Sequence, residues 1–145
     1  MESNVNLITC RYFYAYGPWD VKSDGAIPTA ITSMLNGKEF VCKFPNNVWD
    51  FVYIKDCVKA TIDLLRVGNK GRYNIASGQP ITMREAFTTI ARDLHTEHLL
   101  RFENDSQSPL YMIADISKLT KEIGAFPSTS FEQGIKETIK WWKSR

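Results

Sequence analysis

Short β-branched and aromatic runs alternate along the chain with longer stretches of helical spacing. Val5 to Phe13, VNLITCRYF, is almost continuously apolar, which predicts a strand covered on both faces. Gly17-Pro18 ends it, and Trp19 to Gly25 reads as a surface loop. A helix is predicted from about Pro28 through Ile31, Met34 and Leu35 to the stop at Asn36-Gly37. Glu39 to Phe44 predicts a short strand, Pro45-Asn46-Asn47 a turn and Phe51 to Ile54 a further strand. A helix carrying Val58, Ile62 and Leu65 follows, with Asp56 as its N-cap and with Gly68 and Gly71 closing the unit.

Arg72 to Ala76 is a third β candidate. Thr82-Met83-Arg84-Glu85 has capping-box spacing, and Met83, Ala86, Phe87, Ile90, Ala91 and Leu94 form one helical stripe behind it. His98 to Phe102 predicts a strand, Asp105 to Pro109 a polar loop, and Asp115 to Ile123 a short helix ending at Gly124. The last helix starts at Ser130, with Gln133 as partner in a second capping box and with Phe131, Ile135, Thr138, Ile139 and Trp142 on one face. Strands and helices alternate throughout, so the fold class is α/β.

At 145 residues, 43% of them hydrophobic and 23% charged, the chain suits one domain with a buried core rather than a disordered or disulfide-stapled one. Eighteen basic residues against sixteen acidic ones, with no dense basic run, argue against nucleic acid as a partner. Cys10, Cys42 and Cys57 are odd in number and widely spaced, which argues for buried thiols in a reducing compartment. No apolar run is long enough to span a bilayer, and Met1-Glu2-Ser3-Asn4 lacks the features of a signal peptide, so a cytoplasmic location is expected.

A dinucleotide site on a first βα turn needs closely spaced glycines that let backbone amides approach the pyrophosphate. Gly68 and Gly71 are the nearest approach to such a cluster, yet they follow a helix and precede a strand, the reverse of the required order. His95 and His98 are two imidazoles at a helix-to-strand junction, too few for a closed metal site, and they read as solvated loop residues.

Four segments in order resemble a known family: Arg11-Tyr12-Phe13-Tyr14-Ala15-Tyr16-Gly17-Pro18, Asp50-Phe51-Val52-Tyr53-Ile54-Lys55-Asp56, Tyr73-Asn74-Ile75-Ala76-Ser77-Gly78 and Ala114-Asp115-Ile116-Ser117-Lys118. Together they are similar to the C-terminal half of an extended short-chain dehydrogenase/reductase of the nucleotide-sugar epimerase/dehydratase branch. The resemblance implies partial Rossmann-like parallel strands, at 5–16 and 72–78, and the small α/β substrate-binding domain over most of the remainder. In that family a glycine-rich N-terminal half binds NAD or NADP, and a Tyr-x-x-x-Lys pair supplies acid/base chemistry for hydride transfer to and from a sugar ring carbon. None of the tyrosines at 12, 14, 16, 53, 73 and 111 is followed four residues later by lysine, so no catalytic residue is assigned.

Carried over residue by residue, the resemblance places Tyr12 near the nicotinamide or, alternatively, as a core aromatic at a strand end. Tyr14 stands where many members carry an asparagine that holds the nucleotide-sugar. Trp49 stands where arginine usually grips the diphosphate, and one indole N–H cannot replace a bidentate charged clamp. Ser108-Pro109-Leu110-Tyr111 occupies the region of a second family arginine, and the nearest basic residues are Lys43 and Arg101. Phe40, Cys42 and Phe44 are either contacts of the nucleobase or simply core, and Trp141-Trp142 reads as a docking face of the last helix.

The resemblance thus implies the substrate-binding half of an NAD(P)-dependent nucleotide-sugar epimerase, dehydratase or reductase, incomplete by itself and not expected to bind NAD or NADP alone. The alternative is a non-catalytic nucleotide-sugar-binding or protein-interaction module derived from the same fold. Its expected partners are a nucleotide-sugar and the absent cofactor half, or a second copy through unpaired strand edges. Tyr14 and Trp49 are expected on one wall of a shared cleft.

Overall fold

A computed structural model describes residues 5–21, 25–67, 69–104, 106–127 and 129–145. Met1-Glu2-Ser3-Asn4, part of the Trp19 to Gly25 loop, Gly68 and Asp105 lie outside the described residues.

In chain order the elements are β1 (Ile8–Tyr12), β2 (Tyr14–Tyr16), α1 (Ala26–Leu35), β3 (Phe40–Cys42), β4 (Val48–Trp49), β5 (Phe51–Tyr53), α2 (Ile54–Val67), β6 (Gly71–Ile75), β7 (Ile81–Thr82), α3 (Met83–Leu94), β8 (Leu100–Phe102), β9 (Tyr111–Met112), α4 (Ser117–Ile123) and α5 (Phe131–Lys143). The strands are short, and β1 with β6, β2 with β5 and β3 with β8 form parallel pairs. β4 lies between antiparallel β7 and parallel β9.

The run Val5 to Phe13 holds one strand, though not over its whole length, since β1 takes Ile8–Tyr12 only. β1 pairs with β6 from Ile8↔Gly71 to Tyr12↔Ile75, and at Phe13 the chain changes partner so that β2 pairs with β5 from Tyr14↔Phe51. A tight Ala15 N–H to Phe13 C=O bond of 2.8 Å marks the change. Nor is β1 covered on both faces. Ile8 and Cys10 turn toward the core beside Tyr73 and Ile75, whereas Thr9, Arg11 and Arg72 face outward. Val5 and Leu7 are 71% and 69% exposed. Polar residues alternate with apolar ones along β1, and that period of two decides which face each side chain takes.

Two cores flank β5. Phe51 and Tyr53 point into the larger one, formed with Ile27 and Ile31 of α1, Phe87 and Ile90 of α3 and Ile135 of α5. Val52, one residue out of phase, points the other way and joins Ala60 and Leu64 of α2, Tyr73 and Ile75 of β6, and Leu119 of α4.

α3 matches its sequence signature. Thr82 accepts from Glu85 N–H at 3.1 Å, Glu85 accepts from Thr82 N–H at 2.8 Å, and the stripe behind the box is buried from Ala86 to Leu94. At α5, Ser130 accepts from Gln133 N–H at 3.2 Å, and only this half of the second box is made. Asp56 is not an N-cap, because α2 begins at Ile54 and takes in the end of the Phe51 to Ile54 run. Its carboxylate, 2% exposed, instead accepts from Thr129 N–H at 3.2 Å, a partner 73 residues away. Val58, Ile62 and Leu65 are exposed, while α2 buries Cys57, Ala60 and Leu64, a face turned by roughly 100°.

Candidate functional site

Three aromatic rings form a wall where β2 and β5 begin and β4 ends. Tyr14 meets Trp49 edge to face with 5.5 Å between centroids and Phe51 at 4.9 Å, while Trp49 lies nearly parallel to Phe51 at 6.4 Å. Pairing with Ile81 on one side and Met112 on the other holds Trp49 in place. Its Nε1 is buried and has no hydrogen-bond partner, so an indole donor stands unused beside the wall.

Two concavities open on this wall. One, of about 490 Å³, is lined by Phe13, Tyr14, Ala15, Asp20, Gly25, Ala26 and Trp49. The other, of about 320 Å³, is lined by Arg11, Tyr12, Phe13, Tyr14, Trp49 and Met112. The expected juxtaposition of Tyr14 and Trp49 is therefore present.

The backbone amides near the wall are already engaged. Gly25, the N-cap of α1, has no side chain to offer, and the Tyr14 hydroxyl takes its place by accepting from Ala26 N–H at 2.8 Å. At the end of β6, Asp50 turns inward and accepts from Ser77 N–H at 2.6 Å, from the Ser77 hydroxyl at 2.5 Å and from Gly78 N–H at 3.0 Å. This nest of amides, the kind that cradles phosphate, holds the protein's own buried carboxylate. Among the described residues no strand passes through a glycine-rich turn into a helix. The described residues therefore do not fit the pyrophosphate of a dinucleotide.

Tyr12 lies at the rim of a third, almost wholly apolar cavity of about 340 Å³ between β1 and α2, its hydroxyl 2.6 Å from the Thr61 hydroxyl oxygen. Phe40 packs on Phe87 at 4.7 Å and Cys42 is buried in the larger core, whereas Phe44 is exposed; none of the three lines the two cavities at Tyr14 and Trp49. Leu110 runs beside the wall, its carbonyl accepting from Val48 N–H at 2.9 Å. Of the basic residues near in sequence, Arg101 is drawn away by Glu39 at 3.1 Å. Sequence reasoning did not single out Arg11, which lines the smaller cavity and whose guanidinium donates to the Asn74 side-chain oxygen at 3.4 Å; the alternation along β1 was the signal that could have found it.

His95 ends α3 in the left-handed region at φ 58°, its N–H directed at the carbonyls of Ala91 and Arg92. Trp142 packs against the larger core, and Trp141 meets Trp19 at 5.4 Å. Burial and the adjacent Asp56 push the Cys57 thiol up to about 12. No helix among the described residues is long and apolar enough to cross a membrane.

The parallel β-α arrangement and the turn segments around this wall define an α/β protein of Rossmann-like type. The chain belongs to the NAD dependent epimerase/dehydratase family, whose model matches residues 1–76. It is 28% identical to the CDP-abequose synthase of Salmonella muenchen over 94% of this chain and 48% of that one. Its fold is similar to that of the UDP-N-acetylglucosamine 4-epimerase of Methanobrevibacter ruminantium solved with UDP-N-acetylmuramic acid, with TM-score 0.84 and 29% identity over 97% of this chain and 47% of that one. The dTDP-glucose 4,6-dehydratase of Bacillus anthracis, solved with NAD, matches with TM-score 0.81 and 28% identity over 94% of this chain and 44% of that one. The chain thus spans about a third to a half of the length of the curated relatives it matches.

Proposed function

We propose that these residues form the substrate-binding half of an NAD(P)-dependent nucleotide-sugar epimerase, dehydratase or reductase, and that the cofactor turn and the acid/base pair come from polypeptide outside this sequence. The observation that carries this reading is the face shared by β1 and α2. β1 pairs only with β6 among the described residues, which leaves a strand edge without a ladder partner. Beside it Ile54, Val58, Ile62 and Leu65 are 37%, 53%, 44% and 67% exposed and, with Tyr12, border the apolar cavity or continue its surface. A parallel sheet with apolar helices at its edge is the kind of surface that further parallel strands and a helix cover. By this reading the chain alone does not hold NAD or NADP.

The sugar or base stacks on Tyr14 and Trp49, and Arg11 takes an anionic group of the ligand. A second reading, a binding module that no longer takes part in catalysis, draws support from the Tyr14 hydroxyl lying on the Ala26 amide, where it withdraws a helix-terminal donor from any ligand.

Co-expression with a polypeptide carrying a glycine-rich turn and a Tyr-x-x-x-Lys helix, followed by a nucleotide-sugar screen read by cofactor absorbance, tests both. The first reading expects a stable pair of chains and a substrate-dependent change in cofactor oxidation state. A stable pair that binds nucleotide-sugars without that change supports the second, and failure of the halves to associate overturns the first.

A further inference from the structure

α3 and α5 lie side by side, and their C-terminal portions line an open concavity of about 450 Å³ that the proposed function leaves unused. Lys136, Lys140 and Lys143 of α5 line it, spaced so that they share one helix face, and Arg92 lines it from α3. All four side chains are exposed. None of the three lysines forms an ion pair with another described residue, whereas Arg92 lies 3.9 Å from Asp93. Asp93 is the sole acidic residue in the lining, so four cations face one carboxylate in a chain whose total formal charge is only +2. Glu137, the acid nearest in sequence, is held by Lys55 and Tyr53 at 2.6 and 2.7 Å.

Cations in the last turn complement a helix dipole, and this accounts in part for Arg92, Lys140 and Lys143. It does not account for Lys136, which lies well inside α5, or for the convergence of both helices' cations on one concavity. With Asp93 as the one carboxylate in the lining and Glu137 acting on Lys140 from outside it, positive charge stays in excess, which raises the local potential and draws in an anion. Ile139, 4% exposed, adds an apolar surface to the lining.

We propose that this cavity binds a small oligoanion of the polyphosphate class, at a site separate from the Tyr14 and Trp49 wall. Arg92 of α3 faces the lysine row of α5 across the concavity, which suits a compact ligand better than an acidic polymer. The lysine ammonium groups act as mobile point charges, and the Arg92 guanidinium adds paired donors.

Titration calorimetry of the chain with inorganic tripolyphosphate is expected to show one saturable site whose affinity falls as salt is raised. Lys136→Gln with Lys140→Gln is expected to weaken it by about tenfold or more, and Lys143→Gln alone by less. Thermal melts unchanged from the parent establish that the variants fold. A response equal to that of sodium chloride at the same ionic strength overturns the proposal, as does a saturable site that keeps its affinity in the double variant. Binding of heparin with none of tripolyphosphate also overturns it and assigns the face to an acidic polymer.

Discussion

Asp50 and Ser77 are joined twice: the Asp50 carboxylate accepts from the Ser77 N–H at 2.6 Å and from its hydroxyl at 2.5 Å. Both residues are buried, and the contact ties the junction of β4 and β5 to the exit of β6.

Asp50→Ala leaves the buried Ser77 N–H and hydroxyl, and the partly buried Gly78 N–H, without their acceptor. The expected loss is about 3 kcal/mol, with Ser77→Ala costing about 1.5 kcal/mol, since bonds to a charged group exceed neutral ones. Equilibrium denaturation measures both, and a loss below about 1 kcal/mol for Asp50→Ala would show that water or a neighbour satisfies the nest.

Tyr14→Phe removes the oxygen that caps α1 and keeps the ring against Trp49 and Phe51. The expected cost is about 1 kcal/mol, that of a lost cap. Amide exchange at Ala26 should accelerate while amides in the middle of α1 change little. Unchanged exchange at Ala26 would mean that the phenol does not hold that amide.

Leu64 and Leu65 are neighbours with opposite roles, fully buried and 67% exposed respectively. Leu64→Ala should cost about 3 kcal/mol through a lost core contact. Ile62→Glu with Leu65→Glu should leave the melt of the monomer within about 0.5 kcal/mol and should shift sedimentation of the isolated chain toward monomer. If parent and double variant sediment alike, as monomers at every concentration, the outer face of α2 is not an association surface.

Glu137 accepts from Lys55 and from Tyr53, and these bonds hold its carboxyl below the ordinary value of 4.5. A carboxylate with a depressed folded value contributes stability that is present above the ordinary value and is lost as the pH falls through the folded one. Melting temperature should therefore fall as the pH is lowered from about 4.5, and Glu137→Gln should flatten part of that slope. The same slope in parent and variant would exclude Glu137 from the acid response.

The start and buried face of α3 were legible in the sequence because both depend on residues within a turn or two of each other: Thr82 with Glu85, and Ala86 with Phe87, Ile90 and Leu94. The proximity of Tyr14 and Trp49 was legible through the family-like segments that carry Tyr14 and follow directly on Trp49. Local pattern could not decide which stripe of α2 turns inward. Val58, Ile62 and Leu65 are as apolar as a core face, yet β6 and α4 pack against Cys57, Ala60 and Leu64. Nor could it show that Val5 to Phe13 changes partner at Phe13, that two-residue strands at Val48, Ile81 and Tyr111 assemble around Trp49, or that Arg11 reaches the wall. Each of these depends on chain segments tens of residues apart meeting, and a β ladder or a buried carboxylate takes its partner from whichever backbone arrives there.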